Sequence, residues 1–332
     1  AAIYQFGGVE GKIEGNAYWL LVSVICLITY ATTTWRIPGE FFDYLTLIGV
    51  GSTVLAFTRL LAIPYEWSVA VITATATAVI ALAVKLSEKE GAWLRFSRAT
   101  RYLPQIAIPA SMTFVSFIPG ASAWAQVSVF AFAAFGYALL AWKFPATIFA
   151  HAASWSMIGT VAFSLFAIDL SLEWYATAGS ILAIPYFVGG KLLAEKFNLL
   201  KIFPPKTTEE SANKALIEKE QKVKETKKEK TSWKRGYLIA LNIAGFGLTG
   251  LSTLVGMLTL FTDLWAGVTA LTIASVVLAG SAWLYEKAFL LFFGAGLFNI
   301  PFLFATHRLL QDAERLQSTI WMMTAWAGLG LA

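Results

Sequence analysis

EWSVAVITATATAVIALAVK, residues 66–85, is the stretch that decides the fold. It opens with an acidic residue and a tryptophan, continues without a charge through residues 68–84, and closes on Lys85. A helix of this length rises about 30 Å, which matches the hydrocarbon core of a bilayer. Runs of this kind follow one another along the 332-residue chain, which is 58% hydrophobic and only 14% charged. The sequence therefore predicts an all-α, polytopic transmembrane helix bundle and excludes a water-soluble globule.

Ten spanning helices are predicted, with an incomplete eleventh. Their connections are mostly a few residues long, so consecutive helices are expected to be antiparallel neighbours. A charged segment, 201–235, separates transmembrane hairpins within 1–200 from those within 236–332. The last apolar stretch is too short to cross a bilayer, and we expect a longer parent protein. The predicted spans lie near 17–36, 41–61, 66–86, 102–118, 122–142, 146–168, 172–193, 236–260, 264–285 and 287–306, with a partial span at 319–332.

The loops alternate in charge, and this alternation predicts the topology. All but four of the 25 Lys and Arg residues lie in or beside the loops that follow helices one, three, five, seven and nine. Because cationic residues near helix ends are retained in the cytoplasm, these loops, including 201–235, are predicted to be cytoplasmic and the N-terminus to be outside. The expected location is the plasma membrane of a bacterium or an archaeon. The four exceptions are Lys12, Arg59, Arg308 and Arg315.

A tryptophan recurs at the opposite, outer end of each hairpin. Successive members of this set are 48 to 57 residues apart, except for the 91 residues from Trp174 to Trp265, an interval that contains the charged segment. A fixed period indicates a repeated helix hairpin of about 50–57 residues. Indole rings suit the headgroup level, so the set is interpreted as interfacial anchors, with an aromatic ligand site shared between repeats as the alternative. The set is Trp19, Trp67, Trp124, Trp174, Trp265 and Trp321.

Each repeated unit runs from an outer acidic residue and tryptophan to a cytoplasmic lysine, as in residues 173–191 and 263–287. In this pattern the chain resembles the uncharacterised, repeat-rich polytopic membrane proteins of bacteria. The resemblance covers the whole chain and implies the fold. It implies no activity, so it assigns no functional residue.

The segment 201–235 is rich in Glu and Lys and is expected to lie in water. Pro204-Pro205 ends the preceding element, and Thr207 with Glu210 can form a capping box, so a cytoplasmic helix of about five turns is predicted. Lysines crowd its end beside the next span, where they would contact anionic lipid headgroups or a partner protein. A solvated spacer is the alternative, and nucleic acid is not an expected partner. The cluster is Lys224, Lys227, Lys228, Lys230, Lys234 and Arg235.

Residues that could carry chemistry are few. Every Asp, Glu, Lys and Arg can be placed at a helix end or in a loop, which disfavours ion-coupled transport, and Arg59 is expected to extend outward to the interface. The chain has one cysteine, two histidines and no recognised catalytic motif, so neither an enzymatic activity nor a cofactor is predicted. The outer carboxylates Asp169, Glu173 and Asp263 are interpreted as solvated helix-start charges rather than as transferase acids.

His151, in the first turns of the sixth helix, is the one candidate cofactor ligand. A lone imidazole can hold a haem iron or a pigment magnesium, although a hydrogen-bonded packing histidine is the simpler interpretation. Small and polar residues elsewhere are interpreted as packing devices, among them Gly245, Gly250, Ser252 and Gly256 of helix eight.

Prolines and glycines interrupt three predicted helices and mark a candidate substrate groove. Broken helices can present backbone carbonyls to a substrate. The groove residues are Pro104 of helix four, Pro185, Gly189 and Gly190 of helix seven, and Asn299 and Pro301 of helix ten.

Three functions remain, in order of preference. The first is a non-catalytic multi-pass subunit or scaffold that contacts lipid and other membrane subunits. The second is an uncoupled permease or transporter of lipids or small molecules, and the third is a pigment- or haem-binding subunit that uses His151.

Overall fold

The computed structural model describes residues 9–37, 39–87, 92–144, 146–196 and 217–309, which form α-helices joined by short turns. Nine of the ten described helices are long and apolar enough to cross a membrane. The predicted all-α polytopic fold is therefore confirmed. The helices are α1 (Val9–Arg36), α2 (Glu40–Leu60), α3 (Tyr65–Leu86), α4 (Ala92–Phe117), α5 (Ala123–Lys143), α6 (Thr147–Ala167), α7 (Tyr175–Lys196), α8 (Ile217–Thr259), α9 (Leu264–Tyr285) and α10 (Ala288–Leu309), and a 3-10 turn, Leu172–Trp174, precedes α7.

Three helices begin before their predicted spans, and α1 does so at Val9 rather than near residue 17. α4 begins at Ala92 rather than near residue 102. The prediction missed its first three turns because they carry arginines, and hydropathy alone assigns such residues to a loop. α8 begins at Ile217 and continues without a break into its apolar half. The predicted partial span 319–332 lies outside the described residues.

The chain divides into two compact units, Ala1–Ile168 and Asp169–Ala332. The boundary falls in the loop between α6 and α7. The predicted division at the charged segment 201–235 stays a prediction. Each unit is a set of sequential helix hairpins with its own buried core.

Unit 1 consists of three consecutive hairpins, α1–α2, α3–α4 and α5–α6. α3 contacts α2, α4 and α5, while α1 packs mainly on α2 and α6 mainly on α5. Ile80 of α3, Ile108 of α4 and Leu140 of α5 are fully buried where those helices meet. Gly136 lets α5 approach α3 closely, because a methyl group there would lie 3.1 Å from the hydroxyl oxygen of Thr77.

Unit 2 is built on the mutual packing of α7, α8 and α9, with α10 against α9. Its helices approach backbone to backbone at glycine. A methyl group on Gly267 of α9 would lie 2.6 Å from the backbone nitrogen of Leu260, and one on Gly294 of α10 would lie 2.9 Å from the carbonyl oxygen of Ser275. Small residues let helices pack closely in lipid, where no water drives them together.

The small residues predicted to pack in α8 differ in their surroundings. A methyl group on Gly245 would lie 3.1 Å from the ring of Phe187, and one on Gly256 would lie 3.2 Å from the Cβ of Ala270, so both predicted close contacts are confirmed. A methyl group on Gly250 would meet nothing within 4 Å, so the prediction for that residue is wrong. Gly250 lies on a different face of the helix.

Candidate functional site

The described tryptophans of the predicted set lie on odd-numbered helices or beside them. Four are between 37% and 52% exposed, which suits a ring that meets lipid on one side and water on the other. Trp19 lies deeper within α1 and is partly buried. Trp321 lies outside the described residues, and anchoring at one depth stays a prediction. The four exposed rings are Trp67 of α3, Trp124 of α5, Trp174 of the turn before α7 and Trp265 of α9.

His151 lies in the second turn of α6 and is partly buried. Among the described residues, His, Cys, Asp and Glu nowhere form a group of three that could hold a metal ion. Ligation of a haem or pigment by His151 stays a prediction. Absorbance spectra of the purified protein and of a His151→Ala variant would test it.

The predicted groove residues lie in several environments. α4, α7 and α10 run through their prolines, so the expected helix breaks do not occur in these described helices. Pro104 lines an apolar pocket of about 210 Å³ between α2, α3 and α4 of unit 1. In unit 2, Gly190 and Pro301 are buried, Pro185 is exposed, Gly189 borders open space, and Asn299 donates to the carbonyl oxygen of Ala295 in its own helix. A groove formed by these residues stays a prediction.

The lysine-rich cluster has its backbone in α8, whereas its side chains lie outside the described part of the structure. α8 has 43 residues and is therefore roughly 65 Å long, about twice the thickness of a hydrocarbon core. The predicted cytoplasmic helix is thus continuous with the span. The predicted contact of Lys224, Lys227, Lys228, Lys230, Lys234 and Arg235 with headgroups or a partner stays a prediction.

A buried ion pair that the sequence did not predict joins three helices of unit 1. Asp43, in the first turn of α2, has no exposed surface, and its Oδ2 accepts a 2.9 Å hydrogen bond from Nε of Arg95 in α4. Nη2 of Arg95 also donates to the carbonyl oxygen of Thr34 in the last turn of α1, at 2.7 Å. That carbonyl needs a donor, since residue 38 is a proline and has no N–H to complete the helical bond.

A second, exposed pair continues this arrangement. Nη1 of Arg98 lies 3.6 Å from Oε1 of Glu40, and both side chains are more than half exposed. Two acids three residues apart in α2 thus face two arginines three residues apart in α4, which places each pair on one helix face. This matched spacing is the signal in the sequence that could have found the site. We call these four residues the α2–α4 charge ladder.

The chemistry available to the ladder is limited by arginine. A guanidinium has five N–H donors and no acceptor, so Arg95 can only donate hydrogen bonds here. Oδ1 of Asp43 is buried and has no hydrogen-bond partner. The planar guanidinium of Arg95 donates in two fixed directions, to Asp43 and to the Thr34 carbonyl, and so holds α1, α2 and α4 together.

Unit 2 contains a neutral polar cluster that also joins three helices. The hydroxyl oxygen of Tyr285 in α9 lies 2.7 Å from Oδ1 of Asn242 in α8 and 2.9 Å from the carbonyl oxygen of Phe187 in α7. Gly190 makes room for it, because a methyl group there would lie 2.6 Å from that hydroxyl oxygen. Gly190, which the sequence predicts to line a groove, packs against this tyrosine, and its place in a groove stays a prediction.

In each of these two clusters, polar groups from three described helices lie within hydrogen-bonding distance of one another. Each joins side chains of two helices and a main-chain carbonyl of a third. No protein-family model matches the sequence, and no match was found among curated proteins or among solved structures. The function of this multi-pass membrane protein must therefore be inferred from its own residues.

Proposed function

We propose that the protein is a non-catalytic subunit or scaffold of a larger membrane assembly. The supporting observation is that most polar side chains inside the described helices bond to backbone carbonyls or to one another. A catalytic or transport site instead directs several such groups into one cavity. The polar contacts between neighbouring helices in each unit hold those helices together.

The hydroxyl groups show this use most clearly. Thr73, Thr100 and Thr249 are buried and each donates to the carbonyl oxygen four residues earlier in its own helix. Thr77 crosses from α3 to the carbonyl oxygen of Phe132 in α5, at 2.9 Å, and Ser23 bonds to Ser52 between α1 and α2. The two bonds between helices, those of Thr77 and of Ser23, belong to a class that stabilises helix contacts in lipid by about 0.6 kcal/mol each on average.

The contacts proposed with partners lie on the outside of the bundle and in the first half of α8. Membrane lipids and other membrane subunits would cover the apolar helix faces. The lysine-rich cluster would contact anionic headgroups or a partner on the cytoplasmic side, in a bacterial or archaeal plasma membrane with the N-terminus outside.

Native mass spectrometry of the full-length protein, extracted from its own membrane in mild detergent, tests the proposal. We expect a fixed stoichiometry with at least one partner subunit. Replacing Lys224, Lys227, Lys228 and Lys230 by Glu should release a partner held by these charges, and replacing them by Arg should not. Isolation of the unaltered protein as a stable monomer would count against a scaffold.

An uncoupled permease for lipids is the second candidate, and two buried hydroxyls in α7 favour it. Oγ1 of Thr177 and Oγ of Ser180 are buried and have no hydrogen-bond partner. Pro185, which lies further along α7, has no N–H and therefore cannot donate to the carbonyl oxygen of Ile181. Unsatisfied polar groups along one helix are what a polar solute would use in crossing lipid.

A lipid-scrambling assay distinguishes the two candidates. Fluorescent phosphatidylglycerol and phosphatidylcholine are placed in both leaflets of proteoliposomes, and dithionite quenches the outer leaflet. A scaffold leaves the inner leaflet protected. A permease exposes it at a rate that should fall in a Thr177→Val/Ser180→Ala variant. Thr29→Val, at an exposed position of α1 where the hydroxyl donates to the carbonyl oxygen of Ile25 in the same helix, should leave the rate unchanged.

A further inference from the structure

Unit 1 contains a pocket of about 490 Å³ bounded by α1, α2, α3 and α4. This volume is within the range of small-molecule sites. Its walls are mostly apolar, with polar groups gathered at one end, where α2 ends and α3 begins. The lining residues are Trp19, Leu55, Arg59, Tyr65, Ser68, Val69, Ile72, Ala110, Ser111 and Phe114.

The polar end is organised around the guanidinium of Arg59. Its Cζ lies 3.3 Å from the centre of the Tyr65 ring, so the cation is stacked on an aromatic face. Nη2 lies 3.4 Å from Oγ of Ser68, and the backbone carbonyl of Arg59 accepts a 3.1 Å bond from Nδ2 of Asn16. These contacts orient the guanidinium and leave most of its five N–H donors available.

Among the side chains that the structure describes, no carboxylate forms an ion pair with Arg59. The ion pairs Asp43–Arg95 and Glu40–Arg98 lie at the opposite end of α2. The carbonyls at the end of α2 favour a cation there, but they supply only a partial negative charge. An anion at the pocket mouth would complete the neutralisation and accept hydrogen bonds from the guanidinium edge.

The remainder of the pocket suits an acyl chain. From Tyr65 to Ile72 the α3 wall descends roughly 10 Å at the rise of an α-helix. Leu55, Val69 and Phe114 line this part, and Phe114 is 57% exposed, so the pocket opens sideways to the surrounding lipid. A lipid could enter from the bilayer without passing through water.

The geometry points to a binding site for an anionic phospholipid, with its phosphodiester on Arg59 and Ser68 and the upper part of an acyl chain against Leu55, Val69 and Phe114. The inference is independent of the scaffold proposal, since a bound lipid is compatible with a subunit and with a permease. It differs from the expectation that Arg59 merely extends to the interface.

Site-specific photo-crosslinking tests the assignment. The full-length protein is reconstituted in phosphatidylcholine vesicles that contain a trace of phosphatidylglycerol with a diazirine in its acyl chain, and crosslinked peptides are identified by mass spectrometry. We expect adducts in the α3 and α4 walls of the pocket. Arg59→Gln should lower their yield about tenfold, since a charge-assisted hydrogen bond is lost.

Arg98→Gln is the matched control, because it removes an exposed arginine at the other end of unit 1 and should leave the yield unchanged. Ala110→Leu fills the pocket while keeping Arg59, and should also abolish the adducts. Adducts at the α8–α10 surface provide an internal reference in every sample, so misfolding of a variant is separated from loss of the site.

Three results would overturn the assignment. Undiminished adducts in Arg59→Gln would show that the cation does not bind the lipid. Equal labelling by diazirine phosphatidylcholine would show that the site does not select an anionic headgroup. Stronger labelling by a diazirine fatty acid than by phosphatidylglycerol would show that the site prefers a carboxylate to a phosphodiester.

Discussion

Removing Arg95 will destabilise the protein more than removing Asp43, because the two side chains differ in burial. The Asp43 side chain has no exposed surface, whereas that of Arg95 is 19% exposed. In Arg95→Gln a buried carboxylate loses its cation, and breaking a buried pair in this way costs about 3–5 kcal/mol. In Asp43→Asn the arginine keeps its bond to Thr34 and some access to water, so the expected loss is about 1.5–3 kcal/mol.

The assay is SDS-induced unfolding of the purified protein in bicelles, followed by far-UV circular dichroism. The double variant Asp43→Asn/Arg95→Gln should lose less free energy of unfolding than the two single variants together, since it leaves no buried charge. Arg98→Gln removes a pair that is largely exposed, and should cost no more than about 1 kcal/mol. The reasoning is refuted if Arg95→Gln costs no more than Arg98→Gln, or if the double variant is strictly additive.

Three further predictions use the same unfolding assay. Gly267→Ala should destabilise the protein by about 1–3 kcal/mol because its methyl group would meet the α8 backbone. Gly280 of the same helix borders open space, so Gly280→Ala should be neutral or should stabilise the protein by about 0.5–1 kcal/mol. Equal effects of the two variants would contradict the close packing at Gly267. Tyr285→Phe should cost about 1–2 kcal/mol because Asn242 loses a partner, and an unchanged midpoint would show that the bond contributes nothing. Asp263→Ala should cost about 0.5–2 kcal/mol because its carboxylate caps α9, and Asp263→Asn should recover most of that loss.

The membrane fold could be predicted because it depends mainly on properties that are read along the chain, segment by segment. A bilayer requires about twenty apolar residues per span with all backbone groups bonded internally, so length and hydropathy place most helices. The same measure failed at the beginning of α4. Arg95, Arg98 and Arg101 lower its hydropathy, yet Arg95 lies inside the protein because Asp43 and Thr34 satisfy its donors.

The polar centres could not be predicted with equal success. A sequence shows how far along a helix a residue lies, but it shows less directly which face of the helix meets a neighbouring helix. Asp43 was correctly placed near a helix end, but its complete burial depends on α4. In α8, Gly245, Thr249, Ser252 and Gly256 recur at helical spacing and are all buried, whereas Gly250 falls outside this stripe and is exposed. Periodicity within the set was the signal that would have separated them.

Photo-crosslinking within the native membrane tests the proposed subunit role most directly. A photoreactive amino acid is placed singly at Ile25 of α1, Trp155 of α6 and Phe292 of α10, which are exposed on helices that each pack mainly on one described neighbour. A protein that works as a subunit or scaffold should give, from at least one position, a crosslink to a second polypeptide of constant mass. Buried Leu271 of α9 should give none outside the chain. Adducts with lipid alone from all three exposed positions would contradict the proposal.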